Sequence, residues 1–254
     1  MIRRLTLALG NVFFRVRDAL FPLVFLAVVL AGRPRFLLGS PSWDRVLDAL
    51  GIVVVLAGQT VRVLVIGLAY IRRGGLDRKI HADRLVREGI FAHSRNPLYL
   101  GNLLAMVGLC LVHNSWLVYL VAMPFFFYAY FAIVLAEEQF LGRKFGPDYD
   151  AYRREVPRFR LRLRGLGATI RSMRFDVQRV LRKEYGSTFS GVTILLGLLV
   201  WDDFQLRGDL AGARTLDIAL WIWAPVVVFY LVVRWFKKTG RLGTGWAETT
   251  GAES

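Results

Sequence analysis

Two short polar segments hold the side chains whose types and spacing could do chemistry in this otherwise apolar chain. The first is Arg95-Asn96-Pro97-Leu98-Tyr99-Leu100-Gly101, and the second begins at Glu137-Glu138 and continues through the aromatic and basic residues of 145–158. A guanidinium binds carboxylates and phosphates, whereas a carboxylate binds ammonium groups and other cations. Together the two segments indicate a site for a polar ligand that carries both signs of charge.

The elements that must position these segments are two apolar helices joined by a very short turn. Only His113-Asn114-Ser115 separates the two apolar stretches, so they predict an antiparallel helical hairpin. Arg95 precedes the first helix and Glu138 ends the second, which puts both at the same end of the hairpin. Pro97 fits the first turn of a helix, and the free amides of that turn favour an anionic group. The hairpin thus predicts a pocket for a zwitterion, with its carboxylate near Arg95 and its cation near Glu138.

The composition is that of a membrane protein. The chain has 254 residues, 55% of them hydrophobic, and the apolar residues occur in blocks. A block of about twenty residues crosses roughly 30 Å of hydrocarbon as a helix, and these blocks lack the alternation of barrel strands. We therefore expect an all-α, polytopic membrane helical bundle of about six spans. The spans are predicted near residues 20–31, 46–71, 98–112, 116–136, 189–201 and 216–233.

The distribution of charge predicts the orientation of this bundle. The net charge is +15, and basic clusters lie before the first span, between the second and third, between the fourth and fifth, and after the sixth. With six spans these clusters share one face, which the positive-inside rule makes cytoplasmic, with both termini inside. Because the basic residues flank spans, the expected partners are anionic membrane lipids and not nucleic acid.

Four regions are predicted along the chain. Residues 1–164 form a core of four spans with the polar segment after them, and residues 165–188 form a basic amphipathic helix or linker on the inner leaflet. Residues 189–238 form a two-span extension, and residues 239–254 form a disordered tail. The lone Cys110 and the spacing of the histidines predict neither a disulfide nor a metal site.

The two polar segments resemble the motifs of a known family. Residues 85–101 resemble the "G-x-x-x-x-x-R-[HN]-P-x-Y-x-G" motif of integral-membrane methyltransferases, which include isoprenylcysteine carboxyl methyltransferases and phospholipid N-methyltransferases. Residues 137–158 resemble the second motif, "E-E-x-x-L-x-x-x-F-G-x-x-Y-x-x-Y-x-x-x-V-P-R", and Arg62 resembles an arginine usual in the preceding span. The resemblance covers about residues 58–158, and two motifs in order within one topology are more specific than either alone.

The resemblance implies S-adenosylmethionine as the methyl donor, bound at the cytoplasmic side, and a lipid or other lipophilic acceptor that arrives from the bilayer. It assigns no catalytic residue, but Arg62, Asn96 and Glu138 are candidates for positioning. The residues that it places in or beside the cofactor site are Arg95, Asn96, Pro97, Tyr99, Leu100, Gly101, Glu137, Glu138, Tyr149, Tyr152 and Arg158.

Asn96 departs from the many family members that have histidine at this position. An amide forms hydrogen bonds but is not a general base near neutral pH. A carboxylate acceptor needs no base there, whereas an ammonium or hydroxyl acceptor does. Two other functions stay open: an NADPH-dependent reductase of the sterol-reductase type, whose second motif differs from Glu137-Glu138-Gln139, and a non-catalytic membrane scaffold.

Overall fold

The computed structural model of the chain describes residues 1–68, 73–76, 79–82 and 84–242. Its helices are α1 (Ile2–Ala31), α2 (Pro41–Leu68), α3 (Pro97–His113), α4 (Met123–Phe145), α5 (Pro147–Glu155), α6 (Leu166–Ser172), α7 (Val177–Arg207) and α8 (Asp209–Lys238). A π-helical segment, Val118–Ala122, leads into α4, and 3-10 turns lie at Leu37–Gly39 and Gly89–Ala92. The fold is helical, as predicted, apart from a short antiparallel hairpin of β1 (Arg73–Leu76) and β2 (Lys79–Ala82), which the sequence pattern did not predict.

Among the described residues, four helices are long and apolar enough to cross a membrane. They are Pro41–Leu68, Val118–Phe145, Val177–Arg207 and Asp209–Lys238. The helix Pro97–His113 is apolar but has only 17 residues, and α1 has Arg15, Arg17 and Asp18 near its middle. A multi-span membrane protein is therefore supported, while the count of six spans and the orientation of the termini stay predictions.

Helices α2 and α3 pack with their backbones in direct contact. Gly51 and Gly58 of α2 lie against Gly101 and Gly108 of α3. A Cβ atom added to Gly58 would lie 2.6 Å from the backbone oxygen of Gly101, and one added to Gly108 would lie 2.5 Å from the backbone oxygen of Gly51. Small residues at such contacts stabilise helix pairs in lipid, where van der Waals packing replaces the hydrophobic effect. This pair fixes Arg62 of α2 beside the start of α3.

Helices α1 and α4 form a second pair through aromatic side chains. The ring of Phe21 lies edge-on to Phe126 and Tyr130, with centroid distances of 5.3 and 5.2 Å. The backbone oxygen of Ala132 lies so close to Gly10 that α1 approaches α4 without an intervening side chain. Edge-to-face pairs of this kind contribute about 0.5–1.5 kcal/mol beyond their burial. The pairing places the middle of α1 next to the polar end of the hairpin.

Polar contacts join the helix ends that lie away from the two motifs. The Asn114 side chain donates to the Arg35 carbonyl at 2.7 Å, and Arg207 of α7 pairs with Asp44 of α2 at 2.7 Å. The buried His113 side chain contacts the Asp202 carboxylate at 2.8 Å. The two contacts made by Arg207 and Asp202 attach α7 to the core formed by α2 and α3.

The region from 165 to 188, for which a basic amphipathic helix or linker is predicted, is not one continuous helix in the structure. It contains the short helix α6, a break at residues 173–176, and then the beginning of α7. Asp176 caps α7 by accepting a hydrogen bond from the Arg179 amide at 2.9 Å, which explains why a new helix starts there. Helix α7 continues without interruption through the predicted fifth span and has 31 residues. Most of the predicted disordered tail, from residue 243 onward, lies outside the described residues.

Candidate functional site

A cavity of about 450 Å³ lies where α3 begins and α4 ends. Its walls come from α1, α2, α3, α4, α7 and β2, together with Phe91 and Asn96. Its volume falls within the range of about 300–1,000 Å³ that is usual for small-molecule sites. The polar side chains on its wall are Arg17, Asp18, Arg62, Asn96, Tyr99, Asn102, Tyr130, Glu137, Arg179, Lys183, Glu184 and Ser187.

Tyr99 connects three helices at the cavity wall. Its hydroxyl donates to the Glu137 carboxylate of α4 at 2.7 Å and accepts a hydrogen bond from Arg17 of α1 at 2.9 Å. The tyrosine itself is buried, and the Arg17 guanidinium lies 4.4 Å from the centre of the Phe14 ring. The phenol therefore holds the Glu137 carboxylate in one orientation at the wall, where it can meet a cation.

The N-terminus of α3 opens onto the same cavity. Pro97 occupies the first turn, and Asn96, Pro97 and Leu98 all line the wall. The Asn96 side chain does not cap the helix but donates to the Arg158 carbonyl at 3.3 Å. First-turn amides and the helix dipole favour an anionic group at this position. The amides of α3 thus complement the carboxylate of Glu137.

Glu138 is the centre of an ion cluster beside the cavity. Its carboxylate accepts two hydrogen bonds from Arg158, at 3.0 and 2.7 Å, and pairs with Arg95 at 3.2 Å. The hydrogen bonds to Glu138 raise the pKa of the Arg158 guanidinium, although partial burial opposes that shift. Arg95 also donates to the Arg153 carbonyl at 3.1 Å. The cluster joins the end of α4, the start of α3 and the segment after α5.

The two tyrosines of the second motif lie next to this cluster. The Tyr152 hydroxyl donates to the Phe91 carbonyl at 2.7 Å, and the rings of Tyr149 and Tyr152 are 6.1 Å apart. Both are buried and pack with Leu141 and Val156 in a small apolar core. They hold α5 against the segment that precedes α3.

The structure separates the predicted site residues into three groups. Those on the cavity wall are Arg62, Asn96, Pro97, Tyr99 and Glu137. A second group does not line the described cavity wall. Its members are Arg95, Glu138 and Arg158, which form the ion cluster, and Tyr149 and Tyr152, which pack beside that cluster. Leu100 and Gly101 lie further along α3, and Gly101 faces the Gly58 carbonyl instead of the cavity. Arg95 and Glu138, expected to bind opposite ends of a zwitterion, pair with each other.

Helix α7 supplies wall residues that the sequence reasoning missed. Arg62 donates two hydrogen bonds to the Glu184 carboxylate, at 3.0 and 2.9 Å, a third to Ser187 at 3.1 Å, and a fourth to Asn102. The sequence contained a signal for this contact. An arginine within a span requires a partner, and Glu184 is the only acidic residue between 177 and 201.

Comparison with known proteins gives a family match for part of the chain. Residues 47–148, about two-fifths of the chain, match the family model described as phospholipid methyltransferase. The match confirms the resemblance to integral-membrane methyltransferases and runs from α2 through α3 and α4. It ends before Tyr149, Tyr152 and Arg158 and includes neither α1 nor α7 and α8. No curated protein and no solved structure matches the chain.

Proposed function

We propose that this protein, whose residues 47–148 match the phospholipid methyltransferase family, transfers a methyl group from S-adenosylmethionine to a lipid or lipophilic acceptor at the cytoplasmic membrane face. One observation carries the proposal: the cavity at the polar end of the matched helices has a carboxylate and an open helix N-terminus on its wall. The carboxylate can bind the cationic group of a zwitterionic ligand, and the helix N-terminus can bind its anionic group.

The residues present suit the cofactor, which carries a carboxylate, an ammonium and a sulfonium. The first-turn amides of α3 would bind the carboxylate, and Glu137 would attract a cationic group. Asn96 lies on the wall and also donates to the Arg158 carbonyl, so it connects the cavity wall to the ion cluster around Glu138. We propose that Arg95 and Glu138 exchange their mutual pairing for the carboxylate and ammonium of the ligand.

The acceptor determines whether a base is needed. Bound cofactor supplies an electrophilic methyl group, and an acceptor amine must first lose a proton to expose its lone pair. Asn96 cannot take that proton near neutral pH, whereas Glu137 is a carboxylate on the cavity wall. For a lipid amine we therefore propose that the Glu137 carboxylate accepts the proton and that the Tyr99 hydroxyl holds this carboxylate in the required orientation. The apolar wall residues Phe14 and Phe21 exclude water from the transfer.

The cytoplasmic assignment rests on the charges that surround the cavity. Lys237 at the end of α8 donates to the carbonyl of Arg182 at 3.0 Å, and Arg182 adjoins Lys183 on the cavity wall. The cavity thus lies at the end of the bundle where the basic residues of α7 and α8 meet. By the positive-inside rule this end faces the cytoplasm.

Calorimetry with the detergent-purified full-length protein tests the cofactor. We expect S-adenosylmethionine to bind and Glu137→Gln and Glu138→Ala to weaken that binding. Glu155→Gln, which changes an exposed carboxylate at the end of α5, should not. Binding of NADPH without S-adenosylmethionine would instead support the reductase, and binding of neither to folded protein would support the scaffold.

A further inference from the structure

A second space lies between α1 and α4, at the same end of the bundle as the cavity. It has a volume of about 260 Å³, and we call it the α1/α4 groove. Its lining residues are Asn11, Phe14, Arg15, Ile80, Ala136, Gln139, Phe140 and Arg143. Phe14 and Ile80 also line the cavity, so the two spaces meet at these two side chains. The polar residues of the groove belong to the groove alone among the described linings.

The groove differs from the cavity in the balance of its charges. Its described lining contains two guanidiniums, those of Arg15 and Arg143, and no carboxylate. Neither guanidinium forms a hydrogen bond or an ion pair within the described part of the chain, whereas Arg62 on the cavity wall pairs with Glu184. Like charges that line one small space repel each other, and an anion between them offsets this repulsion. The groove therefore suits an anionic ligand.

Two amide side chains add hydrogen-bond donors to the guanidiniums. Asn11 lies one turn before Arg15 on α1, and Gln139 lies one turn before Arg143 on α4, so each pair shares one face of its helix. The Asn11 amide donates to the Leu7 carbonyl at 3.0 Å, which orients it and leaves its second N–H for a ligand. Guanidiniums in particular match the geometry of phosphate oxygens. Both helices thus present donors to a single phosphate group.

The two arginines lie at the level of lipid head groups. Arg15 precedes the predicted first span at Leu20 by five residues, or about 8 Å of helix. Arg143 follows the end of the predicted fourth span at Ala136 by seven residues, or about 10 Å. The polar head-group layer extends about 5–8 Å beyond the hydrocarbon core, and long arginine side chains bend toward it. Both guanidiniums can therefore reach the phosphates of one leaflet.

Apolar surface beside the arginines can receive the rest of a lipid. Phe14 and Phe140 line the groove itself, and Val12 and Val16 are exposed at neighbouring positions of α1. A free phosphate ion would leave these side chains uncovered, whereas the glycerol backbone and acyl chains of a lipid would cover them. The combination of free guanidiniums and apolar surface favours a lipid over a soluble anion.

We propose that the α1/α4 groove binds the phosphate of an anionic membrane lipid between Arg15 and Arg143. The bound lipid would also pack on Phe14, whose ring lies 4.4 Å from the Arg17 guanidinium on the cavity wall. It is a resident lipid that supports this wall and is distinct from the acceptor of a methyl group, so its binding does not depend on the proposed function. Helix α1, which lies outside the family match, supplies half of the site.

Native mass spectrometry of the full-length protein, titrated with phosphatidylglycerol, tests the site. The double variant Arg15→Gln with Arg143→Gln should bind this lipid at least tenfold more weakly, because each arginine supplies a charge-assisted hydrogen bond. Its thermal midpoint should stay at the native value. Arg4→Gln with Arg154→Gln, which removes two exposed arginines outside the groove, should bind the lipid as the native protein does. Unchanged binding in the first variant, or an equal loss in the second, would overturn the proposal.

Three other ligands identify what the groove recognises. Diacylglycerol, which lacks the phosphate, should bind equally to the native protein and to the Arg15 and Arg143 double variant, and a loss of both lipids would contradict a phosphate site. Phosphatidylcholine, whose cation offsets its phosphate, should bind more weakly than phosphatidylglycerol, and equal binding would contradict selection for an anionic lipid. If inorganic phosphate displaces phosphatidylglycerol at a concentration equal to that of the lipid, the groove is a site for free phosphate and the lipid assignment fails.

Gln139→Glu tests the groove while both arginines are retained. The new carboxylate would lie one turn before Arg143, pair with it and compete with the lipid phosphate. Phosphatidylglycerol should therefore bind about tenfold more weakly than to the native protein, and unchanged binding would contradict the proposal.

Calorimetry with S-adenosylmethionine separates this inference from the proposed function. The cofactor should bind equally to the native protein and to the Arg15 and Arg143 double variant, because neither arginine lines the cavity. Loss of cofactor and lipid together would place the groove within the cofactor site and overturn a separate lipid site. A native protein that binds phosphatidylglycerol through these arginines but binds no S-adenosylmethionine would support the lipid site although the proposed function failed.

Discussion

Arg62 and Glu184 meet through two hydrogen bonds of 3.0 and 2.9 Å, although 122 residues separate them along the chain. Their side chains are 15% and 5% exposed. The arginine belongs to the region matched to the methyltransferase family, and the glutamate belongs to α7 outside it. A charge within the matched helices is thus paired with a charge from the C-terminal part of the chain, and both residues line the same cavity.

Removal of one partner of this ion pair should destabilise the protein. Glu184→Gln leaves the Arg62 guanidinium in a buried position without its carboxylate, and the loss of one member of a buried pair costs about 3–5 kcal/mol. We expect the midpoint of thermal unfolding in detergent to fall. The double variant Arg62→Met with Glu184→Gln should cost less than the two single changes added together. Strict additivity would show that the two residues act independently.

Tyr99→Phe should lower the turnover number while the fold stays intact. The change removes the hydroxyl that donates to Glu137 and accepts from Arg17, so the carboxylate loses its fixed orientation. Hydrogen bonds to charged groups contribute about 1.5–3 kcal/mol, which corresponds to a loss of roughly tenfold or more. A methylation assay at saturating substrates measures the effect.

Tyr119→Phe is the matched control for this change. The Tyr119 hydroxyl donates to Asn114 at the end of the bundle away from the cavity, at 3.0 Å. Turnover should therefore stay close to the native value in that variant. Equal losses in the two variants would indicate a general effect of removing a phenol and would contradict a specific role for Tyr99.

Arg158→Lys should weaken the ion cluster even though it retains the charge. A guanidinium can donate two parallel hydrogen bonds to the Glu138 carboxylate, which an ammonium cannot reproduce. We expect the affinity for S-adenosylmethionine to fall about tenfold, since a bidentate charged contact contributes roughly 1.5–3 kcal/mol. Arg154→Lys, an exposed change on α5, should leave the affinity at the native value.

The pH dependence of the cluster follows from the same geometry. The pKa of Arg158 is raised by its hydrogen bonds to Glu138, so the stability it contributes is present below its unfolded pKa and is lost only as pH rises through the folded value. That range lies far above neutral pH. The Arg158 contribution to stability, measured as the difference in thermal midpoint between native protein and Arg158→Met, should be constant from about pH 6 to pH 9. A marked change over that range would require another titrating group.

The sequence predicts that Arg95 and Glu138 lie at the same end of the hairpin, but it predicts neither their pairing with each other nor the part of the cavity wall that α7 contributes. Arg95 and Glu138 lie at the same end of the bundle because a short turn makes α3 and α4 antiparallel, although α3 packs mainly on α2 and α4 mainly on α1. The contact between Arg62 and Glu184 depends on how separate helices pack, and amphipathicity had assigned residue 184 to a helix on the membrane surface. Asp176 caps the start of α7. A single capping residue is a weaker sequence signal for a helix start than the run of basic residues around it is for a helix on the membrane surface.

Gly58→Ala should separate α2 from α3 and disturb the site between them. The added Cβ would lie 2.6 Å from the Ala105 nitrogen and the Gly101 oxygen, and because both are backbone atoms, relief requires movement of a helix. Overpacking of this kind typically costs about 1–3 kcal/mol. We expect a lower thermal midpoint and reduced S-adenosylmethionine binding, because movement of α3 displaces Asn96 and Tyr99. Gly197→Ala introduces the same methyl group on α7, where nothing described lies within 4 Å, and should preserve both properties. If the two variants behave alike, the cost arises from the helix itself and not from contact between α2 and α3.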